Sequence, residues 1–179
     1  TLTKGEPEVT DTISENEIEL IKIAATAEKG SEHPLADAIM KKAALLKVKV
    51  PDANKFEAVP GYGLKVKWKN KNVIIGNRKM MNKEKIASSS FEKKISSFEA
   101  AGKTVIIVAL NDKAIGLIAI ADTLKENSAE AVHELEALGI ESIMLTGDNE
   151  RTAKAIASQI GIKKVFANVL PHEKLEVIK

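Results

Sequence analysis

With 179 residues, 44% of them apolar, the chain is long enough for one ordinary domain or two small ones and rich enough in apolar side chains to bury a core, which excludes wholesale disorder. Its 27 basic residues nearly balance 25 acidic ones, and one Trp, one Tyr and four Phe offer little stacking surface, so nothing points to nucleic-acid binding. There is no cysteine, which removes disulfides and thiolate metal sites. The strongest apolar run, Val105 to Leu110, is far shorter than the roughly 20 residues of a membrane helix.

In chain order, Ser14 and Glu17 form a capping box ahead of Ile18, Ile21 and Ala25, which predicts a helix over 14–29 stopped by Gly30. Pro34 suits a first helical position, and Leu35, Ile39, Ala43 and Leu46 give a second helix its apolar face. The period then shortens. Phe56–Val59, Leu64–Trp68 and Val73–Ile75 read as strands separated by Gly61-Tyr62-Gly63 and by Lys69-Asn70-Lys71-Asn72, the second break a hairpin turn. A lysine-rich helix over about 90–101 precedes strands at Thr104–Leu110 and Ala114–Ala121. Together these predict an antiparallel sheet with helices on one face.

After Asp122 the pattern changes. Val132, Leu135 and Leu138 mark a helix closed by Gly139, and Ser142–Leu145 reads as a buried strand. Ala153, Ile156, Ala157 and Ile160 mark another helix closed by Gly161; Val165–Ala167 is a short strand, and Pro171 begins a last helix. This alternation predicts a parallel α/β layer, so two architectures share the chain.

Several short runs carry candidate chemistry. Thr146-Gly147-Asp148-Asn149 falls where a strand gives way to a helix, the sheet edge at which ligands bind; a threonine hydroxyl and backbone N–H groups there suit a phosphoryl oxygen, and a plain capping turn suits the same residues. Lys174, in Leu170-Pro171-His172-Glu173-Lys174, can neutralise a phosphate at that edge or stand free in solvent. Asp122 and Lys125 open the α/β part. His33, directly before Pro34, can stack on a purine or serve as a cap, and Glu28 at the preceding helix end can accept an adenine amino group. Gly61 and Gly63 let backbone approach a ligand or simply make a turn; Asn77 and Arg78 supply an amide and a guanidinium after a strand. No Walker A pattern or complete dinucleotide fingerprint is present.

Taken in order, the opening Thr1-Leu2-Thr3-Lys4-Gly5, then SEHPLA, GYG, IGNR, DTLK, TGDN and LPHEK, resemble the heavy-metal subgroup of the P-type ATPases over essentially the whole chain. The resemblance implies an α+β nucleotide-binding domain, an antiparallel sheet with flanking helices, inserted into a partial α/β haloacid-dehalogenase-like, Rossmann-like phosphorylation domain. The expected boundaries are 1–10 for the start of the phosphorylation domain and hinge, 11–117 for the nucleotide domain and 118–179 for the rest. By position, Glu28, His33, Gly61, Gly63, Asn77 and Arg78 match the residues around ATP, Thr146 and Gly147 the phosphate-binding segment with Asp148 beside it, and Lys174 the lysine that stabilises a phosphorylated aspartate.

The same resemblance places the family's nucleophilic aspartate four residues before Thr1, and its later GDGxND segment after Lys179. Nucleotide binding without phosphoenzyme formation is therefore expected of the chain as given, with Mg²⁺ held largely by residues outside it and no metal site within it. The implied partners are ATP or ADP and the transmembrane, actuator and metal-binding domains of the same pump, on the cytoplasmic side of a membrane, with no nucleic acid. SEHPLA is most similar to copper exporters, while zinc, cadmium and lead pumps carry similar runs. Two other classes stay open: a haloacid-dehalogenase-like soluble phosphatase with a cap domain, and an interaction module using Lys65–Lys71 and Lys93–Lys94.

Overall fold

The computed structural model describes residues 2–122 and 124–169. The expected helix from Pro171, like Lys174 and Thr1, lies outside the described residues.

The larger part is a six-stranded antiparallel sheet. Its strands are β1 (Glu8–Ile13), β2 (Asn54–Val59), β3 (Gly63–Trp68), β4 (Lys71–Gly76), β5 (Thr104–Leu110) and β6 (Lys113–Ala121), in the order β1-β6-β5-β4-β3-β2. Two hairpins organise it. Lys69 and Asn70, with φ of 48° and 61°, form the two-residue turn between paired Trp68 and Lys71, whose backbone twist suits antiparallel strands. Asn111 does the same between β5 and β6, and its side chain accepts from the N–H of Asn72 at 3.0 Å, tying the two turns together.

Helices cover both faces of this sheet, not one as expected. The helices α1 (Glu17–Glu28) and α2 (Pro34–Leu45) pack Leu20, Ile23, Ala27 and Ile39 on Leu64, Val66, Val73, Ile75, Ile106 and Val108. On the other face α3 (Arg78–Lys83) and α4 (Glu92–Ala100) pack Met80, Met81 and Ile95 on Ile74, Val105, Ile107 and Ala109. The physical reason is visible in the central strands: Val73-Ile74-Ile75 and Val105 to Ala109 are unbroken apolar runs, and a strand that alternates no polar residues hides both faces.

Two further departures are local. The first helix begins at Glu17 rather than 14, because Asn16 is its cap, accepting from the N–H of Glu19 at 3.0 Å. Ser14 and Glu15 form a bend that links the helix to β1, a strand not expected from the sequence, which borders the sheet against β6 with a bulge at Thr10. The sheet thus runs from Glu8 to Ala121.

The smaller part contains α5 (Ser128–Ala137), β7 (Ile143–Leu145), α6 (Glu150–Gln159) and β8 (Lys164–Phe166), with β7 and β8 parallel as expected. Its core is small: Val132, Ala157, Ile160 and Ile162, with Leu2, Leu124, Met144 and Val165 packed against them. The strand expected to be buried is only half so, since Ile143 is 50% exposed. Leu135 and Leu138 on α5 are exposed as well. Among the described residues no helix is long and apolar enough to cross a membrane.

Candidate functional site

Two of the residues expected around a nucleotide, Glu28 and His33, stand where α1 hands over to α2. Glu28 closes α1, its carbonyl accepting from the N–H of Ser31 at 2.8 Å, and its side chain is buried at 7% exposure. Burial pushes its carboxyl above the ordinary value, partly offset by a hydrogen bond from Ser31; no charged partner among the described residues relieves it. His33 caps α2, with Nδ1 accepting from the N–H of Leu35 at 3.2 Å. An acceptor at Nδ1 puts the neutral ring's proton on Nε2. Capping and ligand contact are therefore compatible: the exposed ring keeps its faces and one donor.

Gly61-Tyr62-Gly63 follows β2, and it is through β2 that the chain reaches this junction. Phe56 of β2 lies against Gly30, where a built Cβ would stand 3.8 Å from its ring. Glu57 to Pro60 separate Phe56 from Gly61, at most about 17 Å of extended chain. The turn is held from below by Asn77, whose N–H donates to the carbonyl of Tyr62 at 2.9 Å and whose side-chain amide donates to the carbonyl of Gly61 at 2.9 Å. The side-chain oxygen of Asn77 caps α3, accepting from the N–H of Met80 at 3.1 Å. A Cβ on Gly63 would sit 2.0 Å from the carbonyl oxygen of Ile75, and one on Gly76 2.3 Å from that of Tyr62. GYG and IGN are thus one constellation in which two glycines, Gly63 and Gly76, let two backbones touch. Arg78, next in sequence, directs its guanidinium to α4, with Nε and Nη2 donating to Glu92 at 3.0 and 2.8 Å and Nη1 to Glu99. These bonds raise the guanidinium's already high pKa further and hold the Glu92 carboxyl below its ordinary value.

The phosphate-side segment sits where β7 ends and α6 begins. Thr146 donates to the Asp148 carboxylate at 2.9 Å and its oxygen accepts from the N–H of Asp148 at 3.1 Å. Asn149 caps α6, accepting from the N–H groups of Arg151 and Thr152 at 3.0 and 3.1 Å. The other carboxylate oxygen of Asp148 accepts from Thr104 at 3.2 Å, so a hydroxyl on the six-stranded sheet reaches into this segment. A Thr104→Val substitution should loosen that link and lower stability by about 1 kcal/mol, read as a shift of the urea midpoint. Among the described residues, only the carbonyl of Val169 comes within 4 Å of a Cβ built on Gly147, at 3.5 Å. Both Asp148 oxygens carry hydroxyl donors, and no group of three or more His, Cys, Asp or Glu stands together among the described residues, so they do not by themselves fit a Mg²⁺ site.

Asp122 has a role the sequence reading did not give it. Its carboxylate accepts from the N–H groups of Gly5 and Glu6 at 3.1 and 3.3 Å, while Lys125 N and Ser128 Oγ donate to the carbonyl of Leu2 at 3.0 and 2.7 Å. The two chain crossings between the halves are clasped together. The sequence signal was an aspartate at the change of architecture; its partners, more than a hundred residues away, leave no local trace.

A family model described as haloacid dehalogenase-like hydrolase matches residues 1–179. The chain belongs to that family. It is 47% identical over all 179 residues to a copper-exporting P-type ATPase of Staphylococcus saprophyticus and spans 22% of that relative's length. Among solved structures it is similar to a zinc-transporting PIB-type ATPase in the E2.Pi state, with TM-score 0.68 and 36% identity over 99% of this chain and 29% of that one. It is also similar to the catalytic domain of the CPx-ATPase CopB-B, with TM-score 0.75 and 26% identity over 99% of this chain and 61% of that one. The resemblance to heavy-metal P-type ATPases and the antiparallel sheet with flanking helices are borne out, and a soluble phosphatase is not favoured.

Proposed function

We propose that the chain is the ATP-binding catalytic segment of a membrane heavy-metal pump, copper-exporting by its relatives' names, which couples ATP hydrolysis to metal transport through an aspartyl-phosphate. The observation that carries this reading is the pairing of Glu28, a buried carboxyl with no charged partner among the described residues, with the free ring edge of His33, the glycine turn lying at the end of β2. Glu28 would accept an amino group of the base, His33 would stack on it or donate from Nε2, and Gly61 and Gly63 would leave room beside exposed backbone. Asn77 would set the turn from below, and Arg78 would hold α3 in place through α4.

Thr146, Gly147 and the N–H groups at the start of α6 would cradle the transferring phosphoryl group, with Asp148 beside them. Lys174, which the family pattern puts at the phosphorylated aspartate, joins this side of the reading by sequence alone. Phosphoryl transfer depends mainly on positioning and charge neutralisation, which these groups supply without covalent chemistry of their own. ATP with Mg²⁺ is the expected nucleotide. The other domains of the same pump would be its partners, with this segment on the cytoplasmic side.

Titrating ATP or ADP into isotopically labelled chain should move the amide signals of His33, Gly61 and Gly63. Unmoved signals at all three would sink the reading. His33→Ala should weaken nucleotide affinity by about 1–2 kcal/mol, the worth of one stack or hydrogen bond, measured by calorimetry.

A further inference from the structure

Two arginines from opposite halves of the chain converge on one buried carboxylate. Glu99, on α4, is 3% exposed. Arg78 of α3 donates to its Oε1. Arg151, in the first turn of α6, brings Nη1 to 3.6 Å from Oε2 and donates to Ser96 on the same α4 at 2.5 Å. Oε2 makes no hydrogen bond, so Arg151 is the charge that faces it. Glu92 completes the cluster, 2.8 Å from Arg78 and 3.9 Å from Arg151.

A buried carboxylate is costly unless paired. Arg78 already has both oxygens of Glu92, so holding α3 to α4 does not require a second, buried acid. What Glu99 adds is Arg151. The polar contacts then run without a gap from one candidate half-site to the other: the carbonyl of Gly61 to Asn77, its neighbour Arg78 to Glu99, Glu99 to Arg151, and the N–H of Arg151 to Asn149, which closes the phosphate segment.

We propose that Glu99 is a positioning residue: by holding Arg78 and Arg151 at once, it fixes the glycine turn relative to the Thr146–Asn149 segment. The assignment rests on reading the turn as the nucleotide site. Its consequence is large because misplacing reacting groups by about 1 Å costs on the order of a hundredfold in rate. Thr104 to Asp148 and Thr152 to the carbonyl of Lys103 also cross between the halves. They act at the phosphate segment alone and do not reach the turn.

Arg151→Met is the working test, since Arg151 is more than half exposed and Arg78 still pairs with Glu99 in its absence, which limits the cost to the fold. The chain has no cysteine, so two can be introduced for spin labels at exposed Lys69 and Lys163, one on each half. The expected result is a broadened label-to-label distance distribution by pulsed electron resonance, an ATP affinity lower by about three- to tenfold, and a nearly unchanged Tm. Arg151→Lys should restore much of both. A distribution as narrow as the parent's overturns the proposal, and so does a broadened one with unchanged affinity. A parent chain that binds no ATP fails the functional reading instead, and the distance distribution then decides the role of Glu99 on its own.

Discussion

Gly63→Ala should be the most damaging single methyl group in the chain, lowering stability by about 3 kcal/mol and abolishing nucleotide binding together. Two effects add. Gly63 has φ of 150°, a conformation that L side chains rarely adopt. Its new Cβ would also meet the carbonyl oxygen of Ile75 at 2.0 Å and Cα of Gly76 at 2.6 Å. Those are backbone atoms of the paired strand, so no rotamer change relieves the clash. The end of β3 must lift from β4, breaking the Gly63–Gly76 pairing that seats the turn on Asn77. Gly61→Ala is the control. Its φ of 75° strains a side chain by about 1–2 kcal/mol. Urea unfolding of both variants, with amide exchange at Ile75 to Asn77, reads the difference. A Gly63→Ala chain as stable as the parent would remove close backbone approach as the reason for glycine there.

What was legible in the sequence was whatever the chain encodes locally. The strand pairs β3–β4 and β5–β6 announced themselves through β-rich runs meeting at Lys69-Asn70 and Asn111-Asp112, and Pro34 fixed the start of α2. TGDN at a strand-to-helix step was readable for the same reason, since both capping and phosphate binding are local backbone chemistry. Misreadings came where a local signal competed with a distant one. Ser14 and Glu17 make a sound capping box, yet Thr12 and Ile13 are drawn into the sheet against β6 and Ser14 follows in a bend, so Asn16 caps a helix that starts at Glu17. The six residues of α3 are too few to show a period. The guanidinium of Arg78 is plain in the sequence, and nothing near it in sequence reveals Glu99 as its destination. Thr104 lies 44 residues before Asp148, and neither residue's neighbours hint at the other. The candidate residues were therefore nameable from the sequence, while the contacts that orient them were not.

Glu28→Gln should make the protein more stable and a poorer nucleotide binder, two changes of opposite sign from one atom. The folded chain holds the Glu28 proton more tightly than the unfolded chain does, because burial raises the carboxyl above its ordinary 4.5 and only Ser31 counters it. As pH rises past that ordinary value, the unfolded state releases its proton first, so stability falls until the folded-state pKa is passed and stays lower beyond it. A glutamine of the same shape has no proton to lose. The variant's Tm should exceed the parent's at pH 7, and the gap should close below about pH 4. For the ligand the order reverses. A charged acceptor for an amino group becomes a neutral one, and affinity should drop by about three- to tenfold. Parent affinity should likewise fall on acidification, beginning above the ordinary carboxyl range, and the glutamine variant should lack that step. A purely structural Glu28 predicts no loss of affinity. A carboxyl kept buried at a standing cost to the fold is most simply explained by what it holds when the site is filled.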